Sequence, residues 1–163
     1  MTINTIFGNS GSQKFGFLMS VNAVTVIFLT FVIINLTKKY RSLTNMIIAG
    51  LFYAIGFGSI ALIKGSFSLF IISTILWSIG EIISATNKGT YIANNSPKNF
   101  RARFSAVDNI SSALGGAIGT SLVGAYMDFH GLTAVWSLVF ILACIGSFLM
   151  LILHIFTYMN KSL

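Results

Sequence analysis

Long, continuous runs of apolar residues decide what this chain can fold into. Hydrophobic residues make up 55% of its 163 residues and charged residues only 8%, whereas about a quarter of a soluble globular protein is charged. Five runs are close to or above the ~20 residues that an α-helix needs to cross a ~30 Å hydrocarbon core. They cover Phe15 to Leu36, Met46 to Ile63, Phe67 to about Ala93, Phe104 to Met127, and Leu132 to about Tyr158. The sequence therefore predicts an all-α polytopic membrane protein with five transmembrane helices.

Other classes of protein find little support. A membrane-spanning β-barrel would show segments of about 10 residues with alternating polarity, and these runs do not alternate. No nucleophile triad, metal-ligand cluster or phosphate-binding loop occurs, so we expect neither an enzyme nor a bound cofactor or metal. The net charge of +7 forms no basic face of the kind that binds nucleic acid. Residues 1–14 are polar and lack the features of a secretory signal, and we interpret them as an external tail before a membrane domain at 15–163.

The basic residues are distributed unevenly between the two ends of the predicted helices. Seven Lys and Arg follow the first, third and fifth runs, and only two lie on the opposite side, with Lys88 left aside near a helix end. The seven are Lys38, Lys39, Arg41, Lys98, Arg101, Arg103 and Lys161, and the two are Lys14 and Lys64. Because basic loops stay in the cytoplasm, we predict a multi-pass protein of the cell membrane with an external N-terminus and a cytoplasmic C-terminus.

A single carboxylate, Glu81, interrupts the third run. It lies 14 residues after Phe67, which is roughly 21 Å along a helix that rises ~1.5 Å per residue. A charge at that depth costs a few kcal/mol, so the side chain should face protein or water. Two interpretations remain open, a proton- or cation-binding site and a structural hydrogen bond to a neighbouring helix.

The third run becomes polar toward its end. Lys88 is about 10 Å from Glu81 along the helix axis, too far for a direct pair, and we expect it to extend to the cytoplasmic interface. Asn87, Asn94 and Asn95 suit either a hydrated vestibule or a frayed helix end. We place Asn87 and Lys88 with Glu81 as candidates for a proton or substrate pathway.

A basic loop then leads into the fourth run. It holds the only proline, Pro97, and the two arginines Arg101 and Arg103. Asp108 follows near the start of the fourth helix, where the helix dipole and the two arginines would stabilise an anion. We predict that these four residues form a cytoplasmic loop that takes part in gating, with a structural role for Asp108.

Small residues recur every four positions along the fourth run and leave almost one whole side of the predicted helix without bulk. In lipid, such rows allow close contact between helices. The contact could lie within this chain or with another half of a transporter. The predicted packing face includes Ser111, Gly115, Gly116, Gly119, Thr120 and Gly124.

Three motifs occur in an order and spacing typical of one family. Gly80-Glu81-Ile82 follows Trp77, Ser96-Pro97 precedes Arg101-Ala102-Arg103-Phe104-Ser105, and the glycine-rich fourth run leads through Asp128 to Trp136. Together they resemble the tenth helix, the next turn, and the eleventh helix of the major facilitator superfamily, specifically its drug-efflux-like permeases. Ala102 stands where that family usually has glycine. The resemblance covers residues 15 to 155, as helices eight to twelve of a twelve-helix fold.

The resemblance implies a partial major-facilitator-type fold, in which two pseudo-symmetric halves enclose a central cavity. The tenth helix would line that cavity, and the eighth and eleventh helices would face the other half. We therefore expect proton-coupled efflux of a small molecule by a permease that is present here as a truncated half. Its expected partners are the lipid bilayer, protons, an unidentified small-molecule substrate and a missing N-terminal half or partner chain. The alternatives are a non-transporting membrane protein that pairs with another half and an inactive fragment.

Overall fold

Five long helices account for most of the chain in a computed structural model that describes residues 8–63 and 66–159. All five are long and apolar enough to cross a membrane, which confirms the prediction of five transmembrane helices. They are α1 (Gly11–Thr37), α2 (Ser42–Ile60), α3 (Phe67–Asn95), α4 (Arg101–His130) and α5 (Leu132–Met159), with short 3-10 turns at Gly8–Ser10 and Lys98–Phe100.

The helices start earlier than hydropathy predicts at three of the five N-terminal ends. α1 begins at Gly11, so the last residues of the predicted external tail are already helical. Residues 1–7 of that tail lie outside the described residues. α2 begins four residues before Met46 and α4 three residues before Phe104. Hydropathy marks only the part of a helix in the hydrocarbon core, whereas backbone hydrogen bonding continues into the interface. Lys64 and Lys161, which enter the predicted charge asymmetry, also lie outside the described residues.

Proline and glycine end two of the helices. Ser96 is extended, with φ −107° and ψ 138°, as expected for a residue whose α-helical conformation is disfavoured by the following Pro97. Gly131 ends α4 with a positive φ of 82°, which costs glycine little, and its N–H donates to the carbonyl of Met127 at 2.9 Å. Because these turns are short, the helices that they connect run antiparallel to each other.

Neighbours in space are not always neighbours in sequence. α2 packs between α3 and α5, and α1 packs on the far side of α3. α4 makes few contacts, with α5 and α3, and none of its residues is buried. The packed body is therefore α1–α3–α2–α5, with α4 at its side.

Small residues bring the helices of this body together. A Cβ added at Gly56 in α2 would lie 2.7 Å from the backbone nitrogen of Trp77 in α3. One added at Gly50 would overlap the hydroxyl group of Ser147 in α5. Close backbone approach of this kind stabilises helix pairs in lipid, where no hydrophobic effect drives their association.

Candidate functional site

Glu81 occupies the centre of α3, the helix with most of the predicted site residues. It is the fifteenth of 29 residues between Phe67 and Asn95, and its side chain is exposed at the surface of the five-helix body. α3 as a whole is long and apolar enough to cross a membrane, and it becomes polar toward its end at Asn95. The structure therefore places an exposed carboxyl group halfway along a helix that is long and apolar enough to cross a membrane.

The position of Gly80 explains on which side of α3 Glu81 lies. Gly80 is buried, and a Cβ there would lie 2.9 Å from the carbonyl oxygen of Ala49 and 3.1 Å from Cβ of Phe52. Residue 80 therefore faces the α2 contact, and the next residue is turned by about 100° around the helix. That rotation brings Glu81 to the side of α3 on which α1 packs.

Asn22 of α1 is the direct partner of Glu81. Its Nδ2 donates to Oε2 of Glu81 at 3.2 Å and to Oγ of Ser78 at 2.8 Å. Ser78 is fully buried, and its hydroxyl group donates to the carbonyl of Thr74 at 2.6 Å. Sequence reasoning missed Asn22, although an amide within a 22-residue apolar run is a detectable signal. The arrangement holds one oxygen of the carboxyl group and leaves the other without a described protein donor.

Asn87 lies in a different environment from Glu81. It is only 8% exposed, and its Oδ1 accepts a hydrogen bond from Nδ2 of Asn45 in α2 at 2.7 Å. Asn87 Nδ2 donates to the carbonyl of Ile83 at 2.9 Å, and Asn45 Nδ2 also donates to the carbonyl of Thr37 at 2.9 Å. The structure thus joins Asn87 to the ends of α1 and α2 within the packed body, and its role in a pathway stays a prediction.

Lys88 connects α3 to α4. Its Nζ lies 2.9 Å from Oδ1 of Asp108 and donates to Oγ of Ser112 at 2.9 Å. The lysine therefore reaches across to a neighbouring helix, where a carboxylate is within reach, and its position at the cytoplasmic interface stays a prediction. The absence of a direct pair with Glu81 agrees with the spacing.

Asp108 has a different ionic partner from the one predicted. Its carboxylate binds Lys88 of α3, whereas Arg101 and Arg103 were expected to neutralise it. Asp108 lies two turns into α4, on the side that faces α3, so the nearest cation in space is not the nearest in sequence. The pair is about one-third exposed on each side and is the main polar link that holds α4 in place.

The predicted cytoplasmic loop consists of a proline-led turn between α3 and α4. The N–H of Phe100 donates to the carbonyl of Pro97 at 2.9 Å, which closes the 3-10 turn. The guanidinium group of Arg103 lies over the ring of Phe100, 5.1 Å from its centroid, and Arg101 is the exposed first residue of α4. The antiparallel arrangement brings this loop and the Lys38–Arg41 loop to the same end of the molecule.

The glycines of the predicted packing face of α4 have open space beside them in the described chain. A Cβ added at Gly115, Gly116, Gly119 or Gly124 would have no neighbouring atom within 4 Å. The hydroxyl groups of Ser111 and Thr120 donate to carbonyls one turn back, those of Val107 and Gly116, each at 2.8 Å. No helix of the described chain lies against these glycines, and a packing role for this side of α4 stays a prediction.

One comparison with known proteins identifies a family. A family model described as Major Facilitator Superfamily matches residues 1–162, which is nearly the whole chain. No curated protein and no solved structure matches the chain. Within the described residues, no three His, Cys, Asp or Glu side chains lie close enough together to hold a metal ion.

Proposed function

Since this chain belongs to the major facilitator superfamily, a family of membrane transporters, we propose that it provides one wall of a proton-coupled efflux pathway for small molecules. The observation that carries the proposal is the position of Glu81, exposed at the centre of α3 with one amide partner. Ionisable groups at mid-membrane depth are costly and mark proton and ion pathways in transporters. The drug-efflux type and the assignment of the helices as eight to twelve stay part of this proposal.

The hydrogen bond from Asn22 suits a group that gains and loses a proton. An amide N–H can donate to a carboxylate oxygen and equally to the carbonyl oxygen of the neutral acid. Asn22 can therefore hold Glu81 in one position on α3 through both states, while the other carboxyl oxygen exchanges a proton with the pathway. In this proposal the proton binds Glu81 in one orientation of the transporter and leaves it in the other.

The second wall of the pathway would come from another helical half. The uncovered small-residue side of α4 supports this, because close helix contact is what such rows permit. Rocking of the two halves would alternate the access of Glu81 to each side of the membrane. Arg101 and Arg103, in the proline-led loop before α4, would stabilise one of the two orientations at the side that we propose to be cytoplasmic, and Lys88–Asp108 would carry movement of this loop to α3.

The same uncovered side of α4 favours a second candidate function. The chain would then be a membrane protein that binds another half without transporting a substrate itself. Co-expression with a separately encoded membrane protein of complementary helices, followed by affinity purification, would recover a stable pair in that case.

Flux measurements test the transport proposal. Proteoliposomes containing the full chain would be loaded with the lipophilic cation ethidium, and its movement measured with and without a proton gradient. Wild-type protein should show gradient-dependent movement, and Glu81→Gln, which keeps the shape but cannot release a proton, should lose the gradient-dependent part. The matched control is Asp128→Asn, because Asp128 is an exposed carboxylate near the end of α4 and should be dispensable.

Two results would count against the proposal. Equal gradient-dependent movement in the wild type and Glu81→Gln would remove Glu81 from the mechanism. No gradient-dependent movement with the wild type would show that the chain does not transport alone and would favour the partner-binding function.

A further inference from the structure

We propose that the chain carries a binding site for an anionic phospholipid at the end where α2 begins and α3 and α5 end. The headgroup would occupy a polar pocket between these three helices, and an acyl chain would occupy an apolar groove further along them. The proposal goes beyond transport, and it does not depend on Glu81 or on a second half.

The polar pocket has the donors that a phosphate group needs. It encloses about 230 Å³, and its lining includes Arg41, Tyr91, Asn94, His154 and Thr157. The guanidinium group of Arg41 lies 5.8 Å from the ring centroid of Tyr158, a cation–π contact that restrains the arginine at the mouth of the pocket. Arginine is well suited to phosphate because its planar donors can bind two oxygens at once.

The start of α2 adds backbone donors to the same pocket. Arg41 is the N-cap residue in an extended conformation and forms no side-chain cap. The N–H of Asn45 donates to the carbonyl of Arg41 at 3.1 Å, so the amides of Ser42, Leu43 and Thr44 have no acceptor within the helix. Ser42 and Leu43 line the pocket, where these amides and the helix dipole favour an anion.

None of the acidic side chains of the protein lines this pocket. The chain has three acidic residues. They are Glu81, Asp108 and Asp128, and none of them is among the residues that line the pocket. The local charge is therefore set by Arg41, and the neighbouring Lys38 and Lys39 extend the basic character of the loop.

An apolar groove of about 430 Å³ lies further along the same three helices. Met46 of α2 is one turn after Ser42, Met150 of α5 is one turn before His154, and Ser84 of α3 is two turns before Tyr91. Residues at these spacings share a helix face, so the groove and the pocket lie one above the other. Between them they offer a cationic head compartment and an apolar tail compartment, which is the shape of a phospholipid rather than of a soluble anion.

Native mass spectrometry of the full 163-residue chain in detergent tests the proposal. Phosphatidylglycerol and phosphatidylcholine with the same oleoyl chains would be titrated, and glycerol 3-phosphate would serve as a headgroup without tails. We expect phosphatidylglycerol to bind about tenfold more tightly than phosphatidylcholine, and Arg41→Gln to remove about tenfold of that affinity, as expected for one charge-assisted contact. The matched control Lys39→Gln removes a charge from the same loop outside the pocket lining and should change the affinity less than about twofold.

A second pair of variants tests the tail compartment without touching the charge. Gly146 lines the groove, and no atom lies within 4 Å of a Cβ added there, so Gly146→Leu should fill the groove and weaken the binding of both lipids. Gly16→Leu on α1, where the space is equally open, should leave lipid binding unchanged. Equal affinity for the two lipids, or an equal loss with Lys39→Gln and Arg41→Gln, would overturn the proposal. Competition by glycerol 3-phosphate at the concentration at which phosphatidylglycerol binds would also overturn it, because the site would then take a soluble anion.

Discussion

Replacing Gly56 by alanine should destabilise the packed body, because this glycine sets the distance between α2 and α3. A Cβ at Gly56 would lie 2.7 Å from the backbone nitrogen of Trp77, 2.8 Å from its Cβ and 3.0 Å from its Cα. Carbon atoms in contact lie about 3.5 Å apart or more, so the helices would have to separate by roughly 0.5–0.8 Å. The atoms in the way belong to the backbone and Cβ of a helix, which cannot rotate aside as a side-chain end can. Forcing one extra methyl group into such a contact costs about 1–3 kcal/mol.

The matched control is Gly146→Ala in α5, the helix on the other side of α2. A Cβ there meets no atom within 4 Å. Both substitutions gain up to about 1 kcal/mol of stability, because alanine has a higher helix propensity than glycine. The difference between the two variants therefore isolates the overlap with Trp77. We expect the free energy of unfolding of Gly56→Ala to be about 1–3 kcal/mol below that of Gly146→Ala, measured by steric trapping in micelles. Equal unfolding free energies would refute the close α2–α3 contact.

Two further predictions concern α4 and the orientation of the chain. Lys88→Glu should place two carboxylates together and raise the rate of backbone hydrogen exchange around Asp108 by about two- to fivefold, since a partly exposed ion pair contributes about 0.5–1 kcal/mol. Adding Asp108→Lys should restore the wild-type exchange rate. A double variant that exchanges as fast as Lys88→Glu alone would contradict the role of the pair. In a Cys144→Ser background, Ser66→Cys should react with an impermeant maleimide added to intact cells and Asn99→Cys only after the cells are opened; the reverse pattern would overturn the proposed topology.

The five helices could be predicted from the sequence because lipid leaves the backbone few alternatives. A long apolar run in the hydrocarbon core has to satisfy its hydrogen bonds internally, which makes it a helix. The order of the helices in space could not be predicted in the same way. Phe31 is 75% exposed and Ile33 is 7% exposed, yet both are apolar, since a side that faces lipid and a side that faces protein have the same polarity. Hydrophobic periodicity, which marks the core side of a soluble helix, therefore does not show that α3 lies between α1 and α2.

The candidate site could likewise be predicted only in part from the sequence. An isolated carboxylate such as Glu81 is visible in any apolar run, but its partner Asn22 is 59 positions away and is brought to it only by the packing of α1 on α3. Asp108 was assigned to the arginines beside it in sequence because the α3–α4 contact could not be foreseen. Residues that act within one helix can be read from spacing, whereas pairs between helices need the arrangement in space.

The position of α5 beside α2 has a consequence for biosynthesis. α2 ends at Ile60 and α5 begins at Leu132, so roughly 70 residues must be made before the final neighbour of α2 exists, which takes about 4–14 s at typical rates of synthesis. During that interval the side of α2 with Gly50 and Gly58, which later meets Ser147 and Phe140, faces lipid or the insertion machinery. α4, which makes few contacts with its neighbours, is synthesised within that interval, so the contact between α2 and α5 can form only after α4 has been made.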